Sequence, residues 1–196
     1  LTLLTRLTDG PVWVCRAPES GMPSVAEGQV REEVFAGKHP AGNAGTHVHY
    51  LDPVSLSKTV WTVGYQEVIA IGKLFTDGKI STDRVVALTG PQVKTPRLMR
   101  TRVGAGMEDF TRGELKDGDN RIVGGSVFNG HHARGPLMFL SRFSNQVTVL
   151  REGRERQLLG YISPGPNRFS VMNIYLSKLM PGKRFNLTTT TNGSER

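Results

Sequence analysis

Only one cysteine, Cys15, occurs in the 196 residues. A lone thiol excludes an internal disulfide framework and any four-thiolate iron–sulfur site. A reducing compartment is the simplest setting for such a chain. No apolar run approaches the ~20 residues needed to cross a bilayer, so a membrane-spanning helix is not expected. The start, Leu1-Thr2-Leu3-Leu4, is too short for a secretory leader and lacks a basic lead-in. There is no initiator methionine, and the sequence ends in a polar Thr/Asn/Ser run, so an excised fragment is expected. Catalytic signatures are missing as well: no Gly-x-Ser-x-Gly elbow, phosphate loop, His-Glu-x-x-His or paired thiols. The three-glycine dinucleotide fingerprint is also absent. The 17 acidic residues form no cluster suited to acid–base work. Aromatic residues make up 7% and do not interleave with arginines. A nucleic-acid stacking platform is therefore not expected, although the sequence pI is about 10.

What is present is an ordinary globular balance, 37% hydrophobic and 21% charged. A chain of this size can bury roughly 70% of its unfolded surface, enough for a real core. Charge is uneven. Residues 1–83 carry net −2, residues 84–156 net +6 and residues 157–196 net +4, which together make the +8 of the chain. The basic excess could face an acidic partner or anionic headgroups, or could simply be a solvated face.

In the first part, Leu1 to Leu7 reads as a helix end. Pro11 to Cys15 reads as a short strand, residues 16–30 as a loop, and Glu32 to Phe35 as another strand. Lys38 to Ser55 carries Gly42, Asn43 and Gly45, a turn that could bring backbone amides close to a phosphate or carbonyl. His47-Val48-His49 would put both imidazoles on one face if the segment is a strand, with Asp52-Pro53 ending it. No further ligands are obvious, since Cys15 and His39 are unconstrained, so hydrogen-bonded structural histidines are preferred to a metal site. Lys58 to Trp61 reads as a strand. Gly64 to Thr76 reads as a helix with apolar residues on more than one face, hence largely enclosed, stopped at Asp77-Gly78.

Arg84 to Gly130 is the most informative stretch. Val85 to Leu88 has the length of a buried strand, and Gly90-Pro91 turns it. Leu98 to Val103 is a second strand, Met107 to Phe110 a short helix, and Arg121 to Val123 a third strand. Hairpin, helix and strand outline a small β-grasp unit. Along the second strand, alternation puts Leu98, Arg100 and Arg102 on one side and Met99, Thr101 and Val103 on the other. Arg100 and Arg102 with Arg97 and Lys94 nearby form a basic stripe, either a docking surface or an edge protected by charge. His131-His132 reads as part of a polar turn. Val147 to Leu150 and Leu158 to Ile162 read as a hairpin, and Phe169 to Met180 as an amphipathic segment. Asn186-Leu187-Thr188 and Asn192-Gly193-Ser194 match the glycosylation sequon, with no secretory leader to support its use.

Val85 to Phe110, with Thr-Gly-Pro-x-Val-Lys-x-Pro between its strands and a Gly-x-Gly before the helix, resembles the soluble-ligand-binding β-grasp module. That module occurs in the flavin-binding NADH subunit of respiratory complex I and its relatives. A narrower likeness rests on His39-Pro40-Ala41-Gly42, Gly45-Thr46-His47, Leu51 to Ser55, Arg84 to Val86, Gly124 to Val127 and Thr188 to Ser194. Together they resemble the A-subunit family of sodium-translocating NADH:quinone oxidoreductases over nearly the whole chain. The resemblance implies α/β plus α+β: residues 1–81 as the latter part of a Rossmann-like layer, 82–135 as the β-grasp module, and 136–196 as a hairpin and helix closing onto upstream segments. It implies that this piece lacks its own flavin or iron–sulfur cluster, while NADH, FAD, FMN, riboflavin and iron–sulfur chemistry reside on other subunits. The expected partners are those subunits, chiefly the membrane-embedded one, with ubiquinone as a possible ligand. The expected place is the cytoplasmic side of the bacterial inner membrane. His39, Gly42, Gly45 and His47 are then the first candidates for a quinone contact, through an imidazole or backbone amide on a quinone carbonyl. Lys94, Arg97, Arg100 and Arg102 are the candidates for docking. A purely structural docking module and a basic nucleic-acid-binding domain are the alternatives; the isolated piece is expected to be inactive.

Overall fold

The computed structural model describes residues 1–155, 160, 162–169 and 172–190. The chain divides into two compact units, Leu1–Ser81 and Thr82–Arg196. Both mix helices and sheets, an α+β content.

In the first unit, a single 3-10 turn at Leu4–Arg6 stands where a helix end is expected. Strands β1 (Val12–Arg16) and β2 (Val30–Val34) pair in parallel, Val12 opposite Val30 and Arg16 opposite Val34. The loop between them folds onto the Glu32 carboxylate, which accepts from the Ser24 hydroxyl and the Val25 and Ala26 amides and pairs with Arg16 at 3.1 Å. Those amides, chiefly Val25, hold the Glu32 carboxyl below its ordinary range. Helix α1 (Ala44–Leu51) occupies the segment read as a His-x-His strand. Helix α2 (Tyr65–Asp77) begins at Gly64 and ends at Gly78, whose φ of 66° is the left-handed stop glycine supplies without strain. Its apolar residues are not enclosed: Tyr65, Ile69, Leu74 and Phe75 are all exposed, and no residue of the helix is buried. Residues 59–64 run into it without strand pairing.

The second unit is organised by a five-stranded sheet in the order β4-β3-β7-β5-β6. Strand β3 (Asp83–Thr89) pairs antiparallel with β4 (Arg97–Arg102). After helix α3 (Met107–Thr111), β5 (Asn120–Gly124) pairs antiparallel with the two-residue β6 (His131–His132), so the His pair sits on a strand and not in a turn. Strand β7 (Gln146–Arg151) lies between β3, to which it is parallel, and β5, to which it is antiparallel. Its run Val147-Thr148-Val149-Leu150 is buried on both faces, as a central strand must be. Residues beyond 136 thus supply the middle of the sheet. Of the strand expected to return at 158–162, residues 158, 159 and 161 lie outside the described residues. Within 169–180, residues 170 and 171 lie outside them too, and the described part holds one 3-10 turn, Leu176–Leu179.

The core of this unit joins Val86, Leu88, Val93, Met107, Ala133, Leu140, Val147 and Val149. Gly90 is the position where glycine is indispensable. Its φ is 110°, and a Cβ there would sit 2.3 Å from the Val149 carbonyl oxygen. The bare backbone lets the turn after β3 lie against the central strand. Two side-chain latches close the rest: Arg84 donates to the Arg142 carbonyl at 2.6 Å, and Arg121 forms a bidentate pair with Glu152, which also accepts from Thr189.

Candidate functional site

The glycine loop and α1 are built by local hydrogen bonds. Ala41 and Asn43 donate backbone N–H to the Lys38 and Pro40 carbonyls at 3.0 and 2.9 Å, and Thr46 and His47 donate to the Asn43 carbonyl. Asn43, extended at φ −82°, is the residue before the helix, and Gly45 falls in its first turn. Neither Gly42 nor Gly45 is forced by the fold: neither has a positive φ, and each faces open space where a Cβ would stand. Glycine at these two positions leaves the backbone uncovered.

His47 lies in this helix with its ring stacked on Phe35, centroids 4.2 Å apart. Its Nε2 donates to the Ala41 carbonyl at 2.8 Å, which puts the proton on Nε2 in the neutral ring. His49 is two residues on, roughly 200° around the helix, and packs edge-on against Tyr50 at 5.1 Å. The shared face expected for the pair does not exist, because the segment coils every 3.6 residues and not every two. Among the described residues no group of three His, Cys, Asp or Glu could hold a metal ion. Cys15 is half-buried, and its thiol is pushed up by burial and by Glu33.

The basic stripe separates into two parts. Arg97 forms a bidentate pair with Glu114 at 2.7 and 2.8 Å, and Lys94 donates to the Gly113 carbonyl at 3.2 Å. The guanidinium hydrogen bonds hold the Glu114 carboxyl below the ordinary range. These two cations fasten the start of β4 to the segment after α3. Arg100 and Arg102 are left on the exposed side with Leu98, which is 72% exposed, whereas Met99 packs on the core. The alternation read from the sequence places all three as expected.

Backbone pairing fixes which way the strand's polar groups turn. Val103 donates to the Thr82 carbonyl at 2.9 Å, and Val86 stands opposite Met99 in the same register. Bonded pairs in an antiparallel ladder recur every two residues. Arg97, Met99 and Thr101 therefore turn their N–H and C=O groups to β3, while Leu98, Arg100 and Arg102 turn theirs outward from the end of the sheet.

The second unit also holds a cavity that the sequence does not announce. It measures about 270 Å³, is open to solvent, and has Ile122, Ala133 and Met138 in its lining together with Glu108, His132 and Arg134. Asn120 also lines it, and the side-chain carbonyl oxygen of that residue is buried without a hydrogen-bond partner. Its walls come together through the pairing of His131-His132 with β5, which local composition does not signal.

Both units match known families. Residues 1–80 match the family described as NqrA second alpha/beta domain, and residues 85–135 the family described as NQRA C-terminal domain. Over all 196 residues the chain is 76% identical to the A-subunit of the Na(+)-translocating NADH-quinone reductase of Alcanivorax borkumensis. It is 60% identical to that of Cellvibrio japonicus and 58% to that of Saccharophagus degradans. The chain spans 44% of the length of each of these relatives.

Proposed function

The chain belongs to the A-subunit family of Na(+)-translocating NADH-quinone reductases, and from that premise we propose that it is a docking portion of such a subunit. In this reading it is part of an oxidoreductase complex that passes electrons from NADH to quinone and moves sodium, and it carries no flavin or iron–sulfur cluster of its own. Those groups reside on the other subunits. Residues 1–81 act as a Rossmann-like scaffold and residues 82–135 as a β-grasp module completed by β7. The chain lies peripherally, on the cytoplasmic side of the inner membrane, against a membrane-embedded neighbour. The support for a peripheral place is that no helix among the described residues is long and apolar enough to cross a membrane.

The observation that carries the docking reading is the exposed row Leu98, Arg100, Arg102 on an end strand, held in place by Lys94 and Arg97 behind it. Its test is reversal of charge in the full subunit, Arg100→Glu with Arg102→Glu. Loss of the subunit from the purified complex is expected; normal assembly would contradict it. For quinone access, the support is narrower: Gly42 and Gly45, in the segment between His39 and His47, leave backbone open. Gly42→Ala with Gly45→Ala fills that opening without disturbing the fold. Altered sensitivity to quinone-site inhibitors, at unchanged assembly, is the expected result, and an unchanged inhibitor profile removes the loop from the quinone path. Nucleic-acid binding finds no support in the geometry, since the exposed arginines of β4 have no aromatic side chain among them.

A further inference from the structure

Resting on that docking reading, we propose that β4 receives its partner as an added strand: an extended acidic segment pairs with the outer edge of β4 through backbone hydrogen bonds. Three observations converge on this edge. First, β4 ends the sheet, and the register turns the N–H and C=O groups of Leu98 and Arg100 and the N–H of Arg102 outward, the Arg102 carbonyl being taken by the Ala105 N–H at 3.2 Å. Such a row is a ready template for another strand. Second, the same three residues present their side chains on the exposed face, so one incoming strand meets both the backbone row and the side chains. Third, the charges are one-sided. Arg100 stands across from Val85 and Arg102 across from Asp83, so only one carboxylate lies opposite the two guanidinium groups.

The chemistry of the partner follows from cross-strand pairing. Side chains directly opposite on neighbouring strands lie about 5 Å apart. Carboxylates are therefore called for beside Arg100 and Arg102, and an apolar residue beside Leu98, which adjoins the part-exposed Val85 and Ala87 of β3. Leu98, 72% exposed, gives this outward row an apolar contact point beside the two charges. Lipid headgroups match the charges but leave the backbone row unpaired, so a peptide strand is the occupant that answers both features.

The test uses the full chain and a capped peptide containing Glu-Thr-Glu-Thr-Val, whose one face sets two carboxylates and an apolar residue against Arg102, Arg100 and Leu98 in an antiparallel pair. Two control peptides accompany it, one with Lys in place of Glu and one N-methylated at every second amide so that it cannot ladder. Amide exchange at Leu98, Arg100 and Arg102 should slow by about tenfold or more with the Val/Glu peptide and with neither control. Arg100→Glu with Arg102→Glu should weaken the peptide by about tenfold or more. Equal binding by the N-methylated or the Lys peptide, or protection elsewhere, would overturn the proposal. The outcomes also separate from those of the docking reading. If the charge-reversed subunit still assembles while the Val/Glu peptide ladders on the edge, docking by this face falls and strand addition stands. If assembly is lost while the N-methylated peptide binds like its parent, docking stands and strand addition falls.

Discussion

Among the described residues, Leu1–Ser81 buries a single hydrophobic side chain, Val30, whereas the unit from Thr82 onward buries eleven. The difference is not one of supply. The first unit holds Trp61, Tyr65, Ile69, Leu74, Phe75 and Ile80, all of them exposed, with Trp61 at 87%. What Leu1–Ser81 lacks is an opposing apolar surface of its own. The second unit has one, because β7 threads between β3 and β5 and offers its two faces to the rest. A helix with apolar residues on several sides needs cover on several sides, and composition alone does not say where that cover comes from.

Substitutions in the two units put this contrast at risk. The largest effect belongs to Leu88, fully buried in the sheet core. Leu88→Ala should cost about 3 kcal/mol, read as a lowered denaturant midpoint for the second unit. Gly90→Ala should cost about 2 kcal/mol in the same assay, since it forces a positive φ and a collision with Val149. Glu152→Gln should cost about 1 kcal/mol, because its pair with Arg121 is partly screened.

The same glutamate sets a pH signature. Hydrogen bonds from Arg121 first, then Thr189, lower its carboxyl in the folded chain. A depressed folded value means that the stabilisation is present above the unfolded value, about 4.3, and is lost as pH falls through the folded one. Acid titration should show Glu152→Gln losing part of that slope, with Glu32 and Glu114 supplying the remainder. A variant with an unaltered acid slope would remove Glu152 from that role.

The smallest effect is expected in the first unit. Ile69→Ser with Phe75→Ser should change this chain's stability by less than about 0.5 kcal/mol, as exposed substitutions do. The full-length subunit should lose considerably more, if its further residues cover α2. Equal, large losses in both would mean that α2 packs within the chain after all.

Much of the second unit was legible in sequence. The apolar runs at Val85 to Leu88 and Val147 to Leu150, the Gly90-Pro91 turn and the alternation of β4 each follow from local chemistry. The place of β7 was not legible, because strand order depends on pairing over roughly sixty residues and leaves no local trace. In the first unit, α2 was legible by its two glycine bounds. The His-x-His segment reads as a strand because two imidazoles fit a period of two, while the eight residues of the helix are too few to show the helical period. Of the candidate site, Arg100 and Arg102 lie where alternation put them. Lys94 and Arg97 belong to the same stripe in sequence but not in function, because sequence distance does not reveal that Glu114 and the Gly113 carbonyl take up their donors.

The unequal footing of the two units can be read directly by residue-resolved amide exchange on the full chain. Amides of β3, β5 and β7 should exchange only through cooperative opening of the second unit, with those of α2 and the β1–β2 pair opening at far lower cost. Equally slow exchange in α2 and β7 would show that the first unit carries a core of its own, and the contrast would be wrong.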